Sequence, residues 1–391
     1  MSLDVLVLNT AVADFRHEDF IFADSLAGAG GLARCDTGKM PPYSQGQFMD
    51  WIEQGFVTAG GPGNTAPLMA MAGLKIGVGV NLGQGNYGGL DAQGRYFYDV
   101  MVASGIDMSA TFRHPTMPTG TTFIHRSKAG ERLGIAYFPN ANDDFNFEDF
   151  KPHVDRLRPS IVYYMYCGLS KRGDAHEGKD LAEFMQWCRR RGAIVIADSH
   201  TLTGSVQESI ESGLSVEGYE LLGPVLPELD IFFTSSDEAK LIFNTLLAPA
   251  NHSRGAYRDH ADFLDTLSRR YCRSDGRTKL LGVTVSDGAY EKHILPDGCP
   301  SPPQKISSKF MAGEVIDLVG AGDAFRAGLL TYIARNTESF RSGTLNFAEA
   351  VQMGNLFASV FIKAPLGRRY RIKPYERMLE WVRGSATMGY R

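Results

Sequence analysis

The chain has 391 residues, of which 43% are hydrophobic and 21% charged, and carries a formal net charge of −4. That length suits one large α/β domain with a smaller appended element, and the composition is that of a globular chain rather than a disordered or fibrous one. The slightly acidic balance argues against a general nucleic-acid or membrane-surface binder, and no apolar run reaches the length of a membrane span.

The cysteines at 35, 167, 188, 272 and 299 are widely spread, with no CxxC and no Cys/His cluster at zinc spacing. Reduced thiols and a cytoplasmic location are the expectation. The opening run 3–8 is short for a signal peptide and holds Asp4, so it reads as a first strand. Residues 9–14 lead from it into a polar, glycine-rich passage up to Phe56, which interrupts the alternation of strand and helix. This passage is expected to form a small lobe or long loops over the core.

Residues 59–66, AGGPGNTA, make a glycine turn before the helix-like PLMAMAGL. A strand at 75–80 follows, then Gly83-Gln84-Gly85-Asn86-Tyr87-Gly88 and a helix-like run at 96–103. This is the outline of a dinucleotide fingerprint, with Asp107 near the place of a ribose-binding carboxylate. It follows the second core strand rather than the first, and GxGxxG arises easily in a chain with 43 glycines.

Two strand-like runs, 121–126 and 132–138, are joined by Ser127-Lys128-Ala129-Gly130, which is hairpin chemistry. Two strands are not stable alone, so the hairpin should recruit others, with 20–24 and 48–58 the nearest candidates. The resulting lid would close over a cleft or pair with a second subunit.

From residue 150 the pattern is repeated strand and helix. Strands are expected at 161–166, 193–197, 229–234, 280–285 and 291–295, and helices at 181–191, 237–247 and 260–272. Such alternation implies a mainly parallel sheet covered on both faces, with ligands at the strands' carboxyl ends. Asp14, Asp198, Ser235, Thr284 and Gly320 should share that edge. Arg189, Arg190 and Arg191 complement a helix C-terminus. The cluster Arg368, Arg369 and Arg371 reads as surface. Asn346 and Glu349 form a capping box for a last helix running to Lys363.

The stretch VIDLVGAGDAFRAGLL, 315–330, organises the rest. Gly320-Ala321-Gly322 lets another group approach the backbone, and the helix behind it presents open N–H groups and a partial positive charge. Asp323 sits in that first turn. Taken alone, a GxG followed by Asp is explained as a turn with a dipole-complementing acid. An anion site beside a carboxylate, however, is what phosphoryl transfer requires.

DLVGAGDAF resembles the C-terminal signature of the ribokinase/PfkB family of carbohydrate kinases, D-T-x-G-A-G-D-x-F, with Leu318 in place of Thr. The turn at 59–66 resembles the family's G-G-x-x-x-N-x-A motif, with Ala59 in place of the first glycine. Residues 91–94 match its D-x-x-G, and 119–142 its lid segment T-G…G-E-R…A-N.

The resemblance implies a ribokinase-like three-layer α/β/α sandwich with a mainly parallel central sheet and a small β-sheet lid. The core would comprise 1–14, 59–105 and 139–391, and the lid 15–58 and 106–138. It further implies ATP-dependent phosphorylation of a hydroxyl on a sugar-like small molecule. Asp323 would be the base, and the Gly320, Ala321 and Gly322 amides the anion hole. Asp14, Gly60, Gly61 and Asn64 would hold substrate, and Glu238, Thr284, Gly288 and Asn355 the nucleotide. Glu238 would organise Mg2+ through water, Ser235 standing where the family has Asn. In some members a monovalent cation, K+, lies near the position of Asp317. A nucleoside (adenosine-like) kinase is the alternative within the fold, and a non-catalytic ligand-binding homologue the alternative outside enzymes. Homodimerisation through the lid is an expectation as well.

Overall fold

The strand Val5–Leu8 (β1) is apolar at every position, as a strand covered on both faces must be. The computed structural model describes residues 2–16, 31–34, 43–126, 132–248, 257–272, 275–365 and 369–384. There β1 lies in a nine-stranded sheet with β5 (Ile76–Gly83), β6 (Asp107–His114), β9 (Ile161–Cys167), β10 (Ile194–Ser199), β11 (Ile231–Ser235), β12 (Lys279–Val285), β13 (Gly288–Ile294) and β14 (Gln304–Ser307). Their order is β14-β13-β12-β11-β10-β9-β1-β5-β6. The strands from β12 to β6 in that order run parallel, while β13 and β14 form an antiparallel edge.

The two faces of β1 belong to different cores. Val5 and Val7 pack towards the helices Ala321–Arg335 and Phe347–Ile362. Leu6 and Leu8 pack towards Phe147–Leu157 and Lys179–Arg190. The result is the expected three-layer α/β/α arrangement. Cys167, Cys188, Cys272 and Cys299 are free thiols. Among the described residues no helix is long and apolar enough to cross a membrane.

A second sheet, ordered β3-β8-β7-β2-β4, stands over the carboxyl ends of the first. It consists of β2 (Val12–Arg16), β3 (Leu32–Arg34), β4 (Val57–Gly60), β7 (Gly120–Arg126) and β8 (Arg132–Tyr137). The hairpin of β7 and β8 is as expected, and it does recruit further strands. The recruits differ from those named in advance. Residues 20–24 lie outside the described residues, and 48–58 are largely a helix, Gln45–Glu53, capped by Ser44 and Gln47. Only the last part of that stretch enters the sheet, as the start of β4.

The boundaries also shift. Val12–Arg16 belongs to the lid rather than the core, and Asp107–His114, expected within the lid, pairs with β5 at the edge of the central sheet.

Period-two alternation sorts the lid's residues. Val12, Asp14, Thr122, Ile124, Ile135 and Tyr137 face the cleft, while Ala13, Phe15, Phe123 and Ala136 face outward. That outward face is covered by the helix Gln45–Glu53. Its Phe48 is fully buried, 5.1 Å from the Phe15 ring, and Trp51 lies 5.6 Å from Phe15. Among the described residues, the aromatic surface of that face is thus filled by the chain itself. At the far edge Leu32 N–H donates to Thr203 O at 3.1 Å, so 203–204 covers the end of β3.

Truncating Phe48 to Ala should cost about 3 kcal/mol or more, within the range for a fully buried phenylalanine. It should also speed proteolytic cleavage within the lid. Chemical denaturation and limited proteolysis check this; unchanged stability would mean the helix is not what holds the lid's outer face.

Candidate active site

Strand β9 ends in an unusual backbone. Tyr166 has φ 60°, a left-handed conformation uncommon for a bulky residue, held by its N–H donating to Asp198 Oδ1 at 2.7 Å. The turn swings the phenol across the sheet's edge, where its Oη donates to Asp323 Oδ2 at 2.6 Å. Asn64 Nδ2, delivered by the glycine turn after β4, donates to the same oxygen at 3.0 Å. Arg326, one helical turn beyond Asp323, reaches Asp323 Oδ1 at 3.1 Å and Asp198 Oδ2 at 2.6 Å, and donates from Nε to Tyr163 Oη at 2.9 Å. All four of Asp323, Arg326, Asp198 and Asn64 are buried. Asp323 is thus fixed by three donors from three elements and points into the cleft.

Gly320 precedes the helix Ala321–Arg335 with φ 87°, and a Cβ there would press on Asn64 and Phe361. Ala321 N–H turns back to Leu318 O at 3.1 Å. Gly322 and Asp323 add first-turn amides beside the Gly320 to Gly322 turn expected to form the anion hole. Gly320 was expected to follow a strand. The segment before it is irregular instead, held by Ile316 and Asp317 N–H groups donating to Ile362 O.

Two cavities meet at this turn. The first, of about 810 Å³, is lined by Asp14, Gly61, Asn64, Glu238, Asp317 and Asp323 among others. The second, of about 470 Å³, is lined by Thr284, Gly288, Asn355, Phe310, Met311 and Ile362 among others. Ala321 and Gly322 line both, as do Ser235, Asp237 and Leu318. Gly60 lies behind the first cavity, its Cα against the Asp14 carboxylate, where any side chain would collide. Leu318, where the family pattern has Thr, is 64% exposed and forms the apolar rim between the two. Every site residue predicted from sequence therefore falls at or directly behind one of these cavities.

Several of them are already engaged. Glu238 accepts from Thr234 Oγ1 at 2.9 Å and from Ser235 N–H at 3.0 Å, so its carboxylate caps its own helix while facing the cleft. Asp237, which sequence reasoning passed over, is the more open carboxylate on the rim between the cavities, 58% exposed and paired with Lys240. Among the described residues no group of three metal-ligating side chains is present. The donor set suits Mg2+ that keeps its waters and is bound mainly through nucleotide phosphates.

Asp14 Oδ1 accepts from Thr122 Oγ1 at 2.6 Å, and Oδ2 pairs with Arg16 at 3.3 Å; burial pushes its carboxyl up against the opposing pull of Arg16. Arg16 also donates to Asp317 Oδ2 at 2.9 Å. Arg369, read from sequence as surface, is 4% exposed and lies 2.6 Å from the same oxygen. Asp317 Oδ1 accepts from Val319 N–H at 2.8 Å. The carboxylate expected to serve a monovalent cation is occupied by two guanidiniums, and its donor set does not fit K+.

The GxGxxG at 83–88 ends β5 as a loop. The helix Ala92–Ala103 opens nine residues beyond Gly83, and its first turn is capped by Asp91, whose Oδ1 accepts from Gly94 N–H at 2.7 Å. Asp91 Oδ2 accepts from Thr119 N–H at 2.7 Å. A carboxylate of the chain itself sits where a dinucleotide fingerprint would place the pyrophosphate.

The family model for pfkB family carbohydrate kinases matches residues 304–369. Solved structures match this chain over nearly its whole length. A probable sugar kinase from Rhizobium etli CFN 42 shares 18% identity and a TM-score of 0.62, covering 97% of this chain and 98% of its own. The fructokinase with bound ATP from Xylella fastidiosa gives 18% and 0.63, covering 97% and 98%. The Anopheles gambiae adenosine kinase in complex with P1,P4-di(adenosine-5) tetraphosphate gives 16% and 0.65, covering 96% and 99%. No curated protein matches the chain. The fold is the one that fructokinases and adenosine kinases share.

What the sequence pattern did not reveal is the set around Asp323: Tyr166, Asp198 and Arg326 meeting in one cluster. A signal was present for Arg326, because a cation inside an otherwise apolar helix has to be buried and paired. Tyr166 had none, since its role depends on one backbone angle.

Burial pushes the Asp198 carboxyl up to about 7, with Arg326 pulling the other way. A carboxyl raised on folding contributes stability that is complete below its unfolded pKa of about 4 and is lost as pH rises through its folded value. Between pH 5 and 8 the wild-type melting temperature should therefore fall more steeply than that of Asp198→Asn. Arg326→Met should extend the fall to higher pH. Thermal melts across that range test the linkage; parallel curves for all three proteins would refute it.

Proposed function

We propose that this chain is an ATP-dependent phosphotransferase that moves the γ-phosphoryl group to a hydroxyl of a sugar or sugar derivative. The observation that carries the reading is the position of Asp323. It is a buried carboxylate at a glycine-opened helix start, lining the first of two cavities whose shared wall includes its neighbours Ala321 and Gly322. Acceptor in one cavity and nucleotide in the other bring the transferring group to that wall.

The second cavity takes the nucleotide. Its walls of Phe310, Met311, Val315, Ala358 and Ile362 are apolar, with Asn355, Thr284 and Ser359 for polar edges. Exposed apolar side chains at Met311, Val315 and Leu318 are accounted for by a base and ribose covering them. In the first cavity Asp14 and Asn64 hold the acceptor's hydroxyls, with Gly60 and Gly61 allowing close approach.

The acceptor hydroxyl displaces Tyr166 or Asn64 as a donor to Asp323 Oδ2 and gives up its proton there late, as a loose transition state requires. The Gly322 and Asp323 amides stabilise charge on the transferring oxygens. Arg326 stays on Asp323 Oδ1, so the carboxylate cannot rotate away. Mg2+, held on the nucleotide phosphates near Asp237 and Glu238, supplies charge neutralisation when bound. The lid excludes water.

One observation favours a second reading. Leu32, Ile124 and Ile135 make an apolar patch on the cleft side of the lid opposite the polar floor. An acceptor with one hydroxylated and one apolar face fits it, which a nucleoside has.

Asp323→Asn should leave ATP binding intact while lowering turnover by about 100-fold or more. A panel of sugars and nucleosides scored by ADP release identifies the acceptor class, and near-normal kcat in the variant would remove Asp323 from its role. Thermal shift separates the nucleotide classes: ATP with Mg2+ should raise the melting temperature and NAD or NADP should not. Stabilisation by a nicotinamide cofactor alone would reverse the assignment.

A further inference from the structure

Beneath the glycine turn lies a second buried charge cluster that the proposed phosphotransfer does not use directly. Arg369 Nη1 donates to Val319 O at 2.8 Å, one residue before Gly320, and its Nη2 lies 2.6 Å from Asp317 Oδ2. That second contact is an ion pair rather than an aligned hydrogen bond, since Nη2 has no partner at hydrogen-bond geometry. The guanidinium also lies over the Phe361 ring, 4.6 Å from its centroid. Arg16 completes the cluster by bridging Asp317 at 2.9 Å and Asp14 at 3.3 Å. Two carboxylates and two guanidiniums thus balance, all of them buried.

Resting on the phosphotransferase reading, we infer that Arg369 is a built-in cation for the anion site, so that nucleotide binding and turnover need no monovalent metal ion. The argument is one of occupancy and of charge. A K+ ion at this place would need the Asp317 carboxylate and a neighbouring carbonyl oxygen as ligands. Both Asp317 oxygens and the Val319 carbonyl are already taken by N–H donors. The guanidinium provides the same service: it places a fixed positive charge under Gly320 and pins the carbonyl that sets the turn. Burial and the like charge of Arg16 push Arg369 down only to about 10, so it keeps its proton at neutral pH. Arg suits this place better than Lys, because its planar fork reaches carboxylate and carbonyl together. Arg369 is a positioning residue here; it acts through the backbone turn.

The test titrates ADP and ATP binding by calorimetry, and ADP release, in KCl, NaCl and choline chloride at equal ionic strength. The wild-type protein should change by less than about twofold between K+ and choline, whereas activation or tightening by K+ of about tenfold or more would overturn the inference. Arg369→Ala should weaken binding in choline by about tenfold or more, the scale of a charged hydrogen bond, and K+ or guanidinium ions should restore part of it. A merely structural role predicts no such rescue, and wild-type affinity of Arg369→Ala in choline would refute the assignment. Should that variant not fold, Arg369→Lys, which keeps the charge and loses the fork, is expected to bind weakly without gaining K+ dependence; K+ dependence in it would count against the inference. Binding that occurs only with K+ overturns this inference alone, while absence of nucleotide binding in every salt overturns the phosphotransferase reading as well.

Discussion

The constraint on which the rest of the structure depends is that a buried charge must be paired. Seven of the buried Asp and Arg side chains within or beside the first cavity are joined into two groups by contacts of 3.3 Å or less. Asp14, Arg16, Asp317 and Arg369 form a neutral group, whereas Asp198, Arg326 and Asp323 leave one negative charge in excess. Removing one partner from such a set strands an uncompensated charge at low dielectric, a far larger penalty than any surface pair could offset. Asn64 and the Gly320 turn sit between the two groups, so the shape of that turn depends on both.

The lid follows from the same logic of covering what cannot be left exposed. Its cleft face carries Asp14 and Thr122 beside Ile124 and Ile135, a mixed surface that only a ligand can complete. Its other face is aromatic and is completed by Phe48 and Trp51 from the chain's own helix. A lid sealed on the outside and open on the inside is free to be specific for an acceptor without needing a second subunit. The same inserted passage that lengthens the chain between β2 and β4 therefore has a physical task.

Periodicity was a good guide wherever burial was uniform. The strands β9, β11 and β12 and the helices behind them were legible because parallel strands covered on both faces are apolar throughout, and helices against them repeat every three to four residues. Val12–Arg16 was not legible as a strand, because its alternation places Asp14 and Arg16 on a side that looks solvent-facing in one dimension. Asp107–His114 was misplaced for a related reason: an edge strand half-covered by helices shows the mixed pattern of a lid strand. The run Arg368, Arg369, Arg371 has the composition of a surface cluster, and nothing local marks Arg369 as turning inward.

What the sequence determined by itself was the glycine turn and adjoining carboxylate at Gly320 to Asp323, since these are local properties of nine residues. It also determined the layered α/β core, through the spacing of apolar residues. Which charges meet was decided only by tertiary structure. Arg16 and Asp317 are 301 residues apart, and Tyr166 and Asp323 157 apart, so their pairing depends on strand order rather than on neighbours in the chain. The pairing of Arg16 and Arg369 with Asp317, and an Asp323 carboxylate held by three donors, are consequences of that long-range assembly. Coulombic and hydrogen-bonding partners are selected by distance in space, which the order of residues along the chain does not encode locally.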